Sequence, residues 1–502
     1  MTEHENTRRL TNKTIFSYAG GDLFGGGAFY IIGILFIWFL TNVAGLSPAL
    51  AGTVVALGKV WDAVTDPSMG YISDNTRSKH GRRRIYFIIG IVPIFLSWVL
   101  LWSNWGLETQ AGKFIYYLLA YMLFNTVFTL VMVPYNAMPA ELANGYKERS
   151  KLMTIRMAFS QGGMLLGALL HEPLINMGSS YTQGFIIMGV VFGLVYAIPW
   201  IFVFRGTYEK EVELEERKEL TVKAIAKKIG KDFGSTLKNK SLRQHTGMYI
   251  TAYVSMDIFM ALMIYFVADY LFSGQELTGQ TTILLGVVAI VQLISLVVVF
   301  KEVKSRGNSK TYRLHASVWI FALVVLLVLS LIFNVVPFWA VLIVGVIIGF
   351  GLSGCVLTPY NMLAFVADAD EMITTKRREG IYAGMMTFLR KIAQALALWF
   401  VGIGLSAVGY IESEGDELII QSAGAIEGIK LMIVVAPLVL LIIGIIASFG
   451  FKITPKNHEL MMNEINRLKN GGKKEDVDSV TKEVVEEITG LEYKDLYKDK
   501  EV

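Results

Sequence analysis

The chain alternates between long apolar runs and short polar stretches, and the runs set its plan. Apolar segments fall at about 15–41, 48–74, 85–104, 114–140, 151–177, 183–206, 247–272, 281–302, 312–334, 336–366, 379–408 and 428–451. Each holds at least the roughly 20 residues that an α-helix needs to cross a ~30 Å hydrocarbon core. We number them span 1 to span 12.

The polar loops between the spans differ in charge. Loop 75–84 carries Arg77, Lys79, Arg82, Arg83 and Arg84, loop 303–311 carries Lys304, Arg306 and Lys310, and loop 207–246 includes Lys227, Lys228 and Lys231. Loops 42–47, 173–182 and 273–280 are nearly free of Lys and Arg. Basic loops stay on the cytoplasmic side, so both termini and the central loop are expected there, in a multi-pass protein of the plasma membrane. This divides the chain into an N-terminal segment (1–14), a six-helix bundle (15–206), a central loop (207–246), a second six-helix bundle (247–451) and a tail (452–502). A solvated or interfacial helix is expected in the central loop. Two short amphipathic helices are expected in a partly disordered tail.

Composition agrees with this reading. Of 502 residues 54% are hydrophobic and only 18% charged, and the charges cluster between the runs instead of spreading along surface helices. Met1 to Lys13 is polar and the first run is too long for a signal core, so no cleaved leader is expected. A single cysteine, Cys355, excludes an intramolecular disulfide. The six His are scattered, and no nucleophile-elbow, zinc-protease or phosphate-loop motif is present. The expectation is therefore not an enzyme: no cofactor, no nucleic-acid partner, and uphill movement drawn from an ion gradient.

Charges inside the spans carry the chemistry. Lys59, Asp62 and Asp66 in span 2 share one helical face by i, i+3 and i, i+4 spacing. Counted back from Asp74 at ~1.5 Å per residue, Asp66 lies ~12 Å deep and Asp62 ~18 Å deep. Carboxylates at that depth need a partner, a proton or a cation. Two acids one turn apart repel each other and offer hard oxygen ligands, so Asp62 and Asp66 are candidate ligands of a monovalent metal cation. A salt bridge to a neighbouring helix is the plainer alternative. Span 1 adds Asp22 and Gly25-Gly26-Gly27, span 4 Asn125, Thr126 and Thr129, span 5 Arg156 and Gln161. In span 11, Thr387, Lys391 and Gln394 share a face, and Lys391 is too deep to snorkel out.

The halves echo each other. Val131-Met-Val-Pro-Tyr-Asn136 in span 4 resembles Val356-Leu-Thr-Pro-Tyr-Asn361 in span 10, each followed by an acid and a base: Glu141 with Arg149, Asp368 with Arg378. Parallel repeats of this kind point to an all-α membrane protein with twelve transmembrane helices in two six-helix halves, the major facilitator fold.

From Tyr18 to about Pro455 the chain resembles the glycoside–pentoside–hexuronide:cation symporters. The resemblance rests on Tyr18-Ala-Gly-Gly-Asp22, Thr41 to Ser47, Trp61-Asp62-Ala-Val-Thr-Asp66-Pro67, Asp74 to Arg77 with Gly81-Arg82, Pro134-Tyr135 through Arg149, and Arg378-Glu379-Gly380 leading to Lys391. It implies import of a sugar or glycoside with Na⁺ or H⁺. Asp62, Asp66, Thr129 and Lys391 would serve the cation. Arg156, Asn136, Gln394, Thr387 and Lys59 would face the substrate, and Asp22, Asp74, Arg77, Arg149 and Arg378 would hold the inner gate. The melibiose permease type uses acids where this chain has Gly26 and Met132, and a tryptophan where it has Asn136. The galactoside clamp is thus missing beside a retained Arg156, which suits an acidic sugar such as a hexuronide. The alternatives are a carrier of a non-sugar or lipid-like substrate and a transporter-like sensor without net flux. The expected partners are the small substrate and the bilayer, with the chain working as a monomer.

Overall fold

The computed structural model describes residues 10–143, 146–209, 234, 236–272, 279–376, 378–415 and 419–497. The helix expected in the central loop lies outside the described residues. Twelve helical spans follow the apolar runs: Asn12–Asn42, Pro48–Asn75, Arg84–Ile89 with Ile91–Leu101, Gln110–Ala137, Tyr146–Ile175, Tyr181–Gly206, Lys240–Leu271, Gln280–Arg306, Asn308–Ile332, Phe338–Thr374, Glu379–Ala407 and Ala423–Gly450. The extended pairing among the described residues is a lone bridge between Ala44 and Glu414.

Nine of these described helices are long and apolar enough to cross a membrane on composition alone. The other three are spans 2, 3 and 5. Span 2 carries Lys59, Asp62 and Asp66, span 3 is interrupted at Gly90, and span 5 carries Arg156, Gln161, His171 and Glu172. Polar residues inside a span cost free energy, so they mark the helices whose interior does more than pack. Side-chain caps start several helices: the Thr109 hydroxyl accepts from Gly112 N–H and Ser180 from Gln183 N–H. Spans 1 and 7 share a further feature, a π-helical turn near their ends at Ile32–Phe36 and Phe266–Leu271.

The chain packs as two units. The first comprises Met1–Glu215, Met260–Gly286 and Gln394–Ile433. Its core is aromatic, with Trp38, Trp98, Trp102 and Trp200 fully buried among Phe36, Phe39, Phe124 and Phe185. In the same unit the end of span 1 meets residues from span 7 and from the segment after span 11. Thr41 and Tyr265 hydroxyls lie 2.7 Å apart, and the Tyr410 hydroxyl reaches Asn42 Oδ1 at 2.9 Å and Asp269 Oδ2 at 3.1 Å. Span 1 also lies close against span 5: a Cβ on Gly26 would meet the Ser160 carbonyl oxygen at 2.4 Å. The glycine run thus serves helix packing, as small residues do between membrane helices.

The second unit comprises Glu216–Phe259, Val287–Ala393 and Val434–Val502. Trp319, Tyr312 and Phe259 are buried in it, and so is Cys355 of span 10, at 0% exposure. The tail belongs to this unit, and its described residues fold onto it, where a partly disordered tail was expected. Helices Pro455–Lys469 and Ser479–Thr489 bury Met461, Ile465, Val485 and Ile488. Polar contacts fasten them: Lys469 pairs with Glu371, His458 with Asp368 at 2.9 Å, and the Ser241 hydroxyl donates to the Ile488 carbonyl at 2.6 Å. Burial of one apolar face accounts for the order, since short helices draw most of their stability from packing.

Candidate functional site

The first unit brings three of the four expected cation-site residues together. Span 2 presents Asp62 and Asp66 one turn apart, and span 4 presents Thr129 between them. The Thr129 hydroxyl lies 3.0 Å from Asp62 Oδ1 and 2.8 Å from Asp66 Oδ1. Asp62 and Thr129 are buried at 1% and 2% exposure, and Asp66 is half-buried. One hydroxyl has a single proton and two lone pairs, so it donates to one carboxylate at a time. Three hard oxygens therefore converge in a buried place, a donor set that suits a small monovalent cation or a shared proton. Lys59, expected to face the substrate, is buried one turn earlier with its ammonium 3.6 Å from the centre of the Phe29 ring. Trp61 is tied to span 4 as well, its indole donating to the Thr126 hydroxyl at 2.8 Å.

A second cluster joins residues that the sequence assigned to different roles. Arg156 of span 5, expected at the substrate, donates to both oxygens of Asp22, expected at the gate, at 3.0 and 3.3 Å. It also donates to Asn136 Oδ1 at 2.6 Å and lies over the Tyr135 ring at 4.7 Å. Tyr18 and Tyr135 stack at 4.3 Å, and each phenol donates to the other's backbone carbonyl, at 3.0 and 2.8 Å. Asn136 is exposed, so the guanidinium lies between a buried acid and an open polar group. Such a planar fork, oriented by one carboxylate, binds hydroxyls or a second carboxylate on its open side.

The second unit repeats this device. Arg390 of span 11 grips Asp257 of span 7 with two bonds of 2.7 and 2.9 Å and lies over Tyr253 at 4.8 Å. Tyr18-x-x-x-Asp22 and Tyr253-x-x-x-Asp257 are matching words in spans 1 and 7. Asp257 escaped the sequence reading, although an ionisable residue in mid-span was its signal. Lys391, Thr387 and Gln394 lie on span 11 as expected, Thr387 exposed and the others half-buried.

The expected gate residues divide. Asp74 accepts from Arg83 at 2.8 Å, and Glu141 accepts from Arg82 and Arg83 at 2.6 and 2.5 Å. The Glu209 carboxylate takes the backbone N–H groups of Arg82, Arg83 and Arg84 at 2.9, 2.9 and 2.6 Å, a contact the sequence did not announce. Outside the spans, the Glu141, Asp74 and Glu209 carboxylates outweigh partial burial and raise the Arg82 guanidinium above its ordinary value. Arg378 pairs with Asp370 at 2.6 Å in the second unit, whereas Arg77 and Arg149 are exposed.

A family model described as MFS/sugar transport protein matches residues 17–455. An uncharacterized symporter of Synechocystis is 28% identical over 91% of this chain and 97% of its own. A putative glycoside/cation symporter of Escherichia coli is 28% identical over 86% of this chain and 90% of its own. A sodium-dependent lysophosphatidylcholine symporter of Danio rerio is 23% identical over 96% and 93%. The crystal structure of a D-xylose–proton symporter superposes with a TM-score of 0.56 at 17% identity, covering 85% of this chain and 96% of the other.

Proposed function

The chain belongs to the MFS/sugar transport protein family, and from that premise we propose that it is a secondary active carrier. It moves a small polar solute, a sugar, glycoside or sugar acid, together with a monovalent cation. The observation that carries the reading is the Thr129 hydroxyl set within 3.0 Å of one oxygen each of Asp62 and Asp66 in a buried site. Two carboxylates beside one hydroxyl bind Na⁺ or a proton, and occupancy relieves their repulsion. Arg156, oriented by Asp22, together with Asn136 and Gln394, holds the substrate. Transport follows alternating access. The basic loops support a cytoplasmic placement of both termini.

A second reading has its own support. Gly26 packs against the Ser160 backbone and Met132 is buried, so the melibiose-type clamp positions offer no carboxylate. A relative named as a lysophosphatidylcholine symporter points to an amphipathic substrate with an anionic or zwitterionic head on Arg156. Uptake into proteoliposomes with labelled sugars, sugar acids and lysolipids, under an imposed Na⁺ or H⁺ gradient, tests both. Accumulation of a sugar or sugar acid supports the first reading. Movement of lysolipid alone selects the second, and no flux under either gradient refutes both.

A further inference from the structure

A cleft of about 590 Å³ in the second unit is left unused by the transport reading. It opens between the loop joining spans 8 and 9 and the segment that leaves span 12. Arg306, Lys310, Arg313, Lys452 and Lys456 line it, above Phe449, and its described lining holds no carboxylate. Lys452 also reaches Glu487 at 3.4 Å, and Arg313 is anchored by donation to the Ser448 carbonyl at 3.2 Å and by the Phe449 ring at 4.5 Å. The other three cations are exposed at the rim.

The internal repeat says what the cleft lacks. Gly81-Arg-Arg-Arg-Ile-Tyr86 at the start of span 3 aligns with Gly307-Asn-Ser-Lys-Thr-Tyr312 at the start of span 9 through the glycine and the tyrosine, and both glycines have positive φ, +97° and +80°. In the first unit, Glu209, just past the end of span 6 at Gly206, takes the backbone N–H groups that follow the glycine. Just past the end of span 12 at Gly450 the chain supplies Lys452 and Thr454 instead, and no side chain caps the helix at Asn308. One repeat fills this place with its own anion; the other surrounds it with cations and uncapped amides.

The surface beside the cleft names the kind of anion. Val439, Ile443, Ile446 and Phe449 form an exposed apolar stripe along span 12, with Ile446 and Phe449 at 65% and 63% exposure, ending in the cleft. A charged head in the cleft and an acyl chain along the stripe would be satisfied together. We propose that this cleft binds the phosphate of an anionic phospholipid of the leaflet that faces the basic loops. The cleft shares no residue with the cation and substrate clusters.

Native mass spectrometry of the purified full chain tests this with phosphatidylglycerol, phosphatidylcholine and free glycerol phosphate as probes. Phosphatidylglycerol is expected to be retained at least tenfold better than phosphatidylcholine. Each rim charge removed should weaken retention about fivefold, so Arg306→Gln with Lys310→Gln and Lys456→Gln should abolish the preference. The charge-conserving set Arg306→Lys, Lys310→Arg and Lys456→Arg should keep it, which separates charge from folding. Equal retention of the two lipids by the native chain, or an undiminished preference in the Gln set, would overturn the proposal. Glycerol phosphate bound as tightly as phosphatidylglycerol would also overturn it, in favour of a soluble anion.

Discussion

At the scale of single residues, the carboxylate pair and the Arg156 cluster make separable predictions. Asp62→Asn and Asp66→Asn keep shape and remove a charge-bearing oxygen. Each is expected to lose gradient-driven accumulation while solute exchange partly survives, measured as uptake against counterflow in proteoliposomes. Full concentrative uptake by both variants would remove the cation assignment. Arg156→Ala strips charge-assisted hydrogen bonds worth about 1.5–3 kcal/mol, so substrate affinity should fall about 10–100-fold. Arg156→Lys should recover little, since an ammonium cannot reproduce the fork that holds Asp22 and Asn136 together. The carboxylate pair was legible in the sequence because Asp62, Asp66 and Lys59 lie within one helical face. The Asp22–Arg156 bond was not, because its partners are 134 positions apart and each fitted a different role alone. Glu209 was equally hidden, since nothing local distinguishes it from any loop acid until the chain brings it to the start of span 3.

The elements show where hydropathy is a sufficient guide and where it stops. It located all twelve spans, including two that polar residues and one that a break at Gly90 keep from standing out by length and composition. It misjudged ends. Span 10 was expected to stop near 366, yet its helix runs to Thr374 because Asp370 and Glu371 are held by Arg378 and Lys469. Paired charges let a helix continue past its apolar run. The tail helices were expected, but their docking was not, since amphipathicity alone does not name the surface that receives the apolar face. Ile465 is fully buried there, so Ile465→Asp should release the tail, read as faster limited proteolysis near Gly471-Gly472 with transport-competent spans intact. Packing of spans 1 and 5 gives a further expectation. Gly26→Ala drives a methyl into the Ser160 backbone and should cost about 1–3 kcal/mol of stability, seen as a lower melting temperature in detergent. Restoring an acid at that position should therefore fail to restore melibiose transport.

For the whole molecule the central expectation is coupling. If cation occupancy at Asp62 and Asp66 favours the substrate-competent state, the coupling free energy is reciprocal. Sodium should tighten substrate binding, substrate should tighten sodium binding by the same factor, and acidification should weaken apparent sodium affinity because protons compete for the same oxygens. Calorimetric titration with substrate, with and without Na⁺ at two pH values, decides: equal affinities throughout would leave proton coupling or none. Motion during that cycle can be followed without first redesigning the chain. Its one thiol, on Cys355, is sealed inside span 10, and buried apolar thiols are inert. The native protein is its own silent background, so a maleimide or spin label placed at any single engineered cysteine reports that position alone.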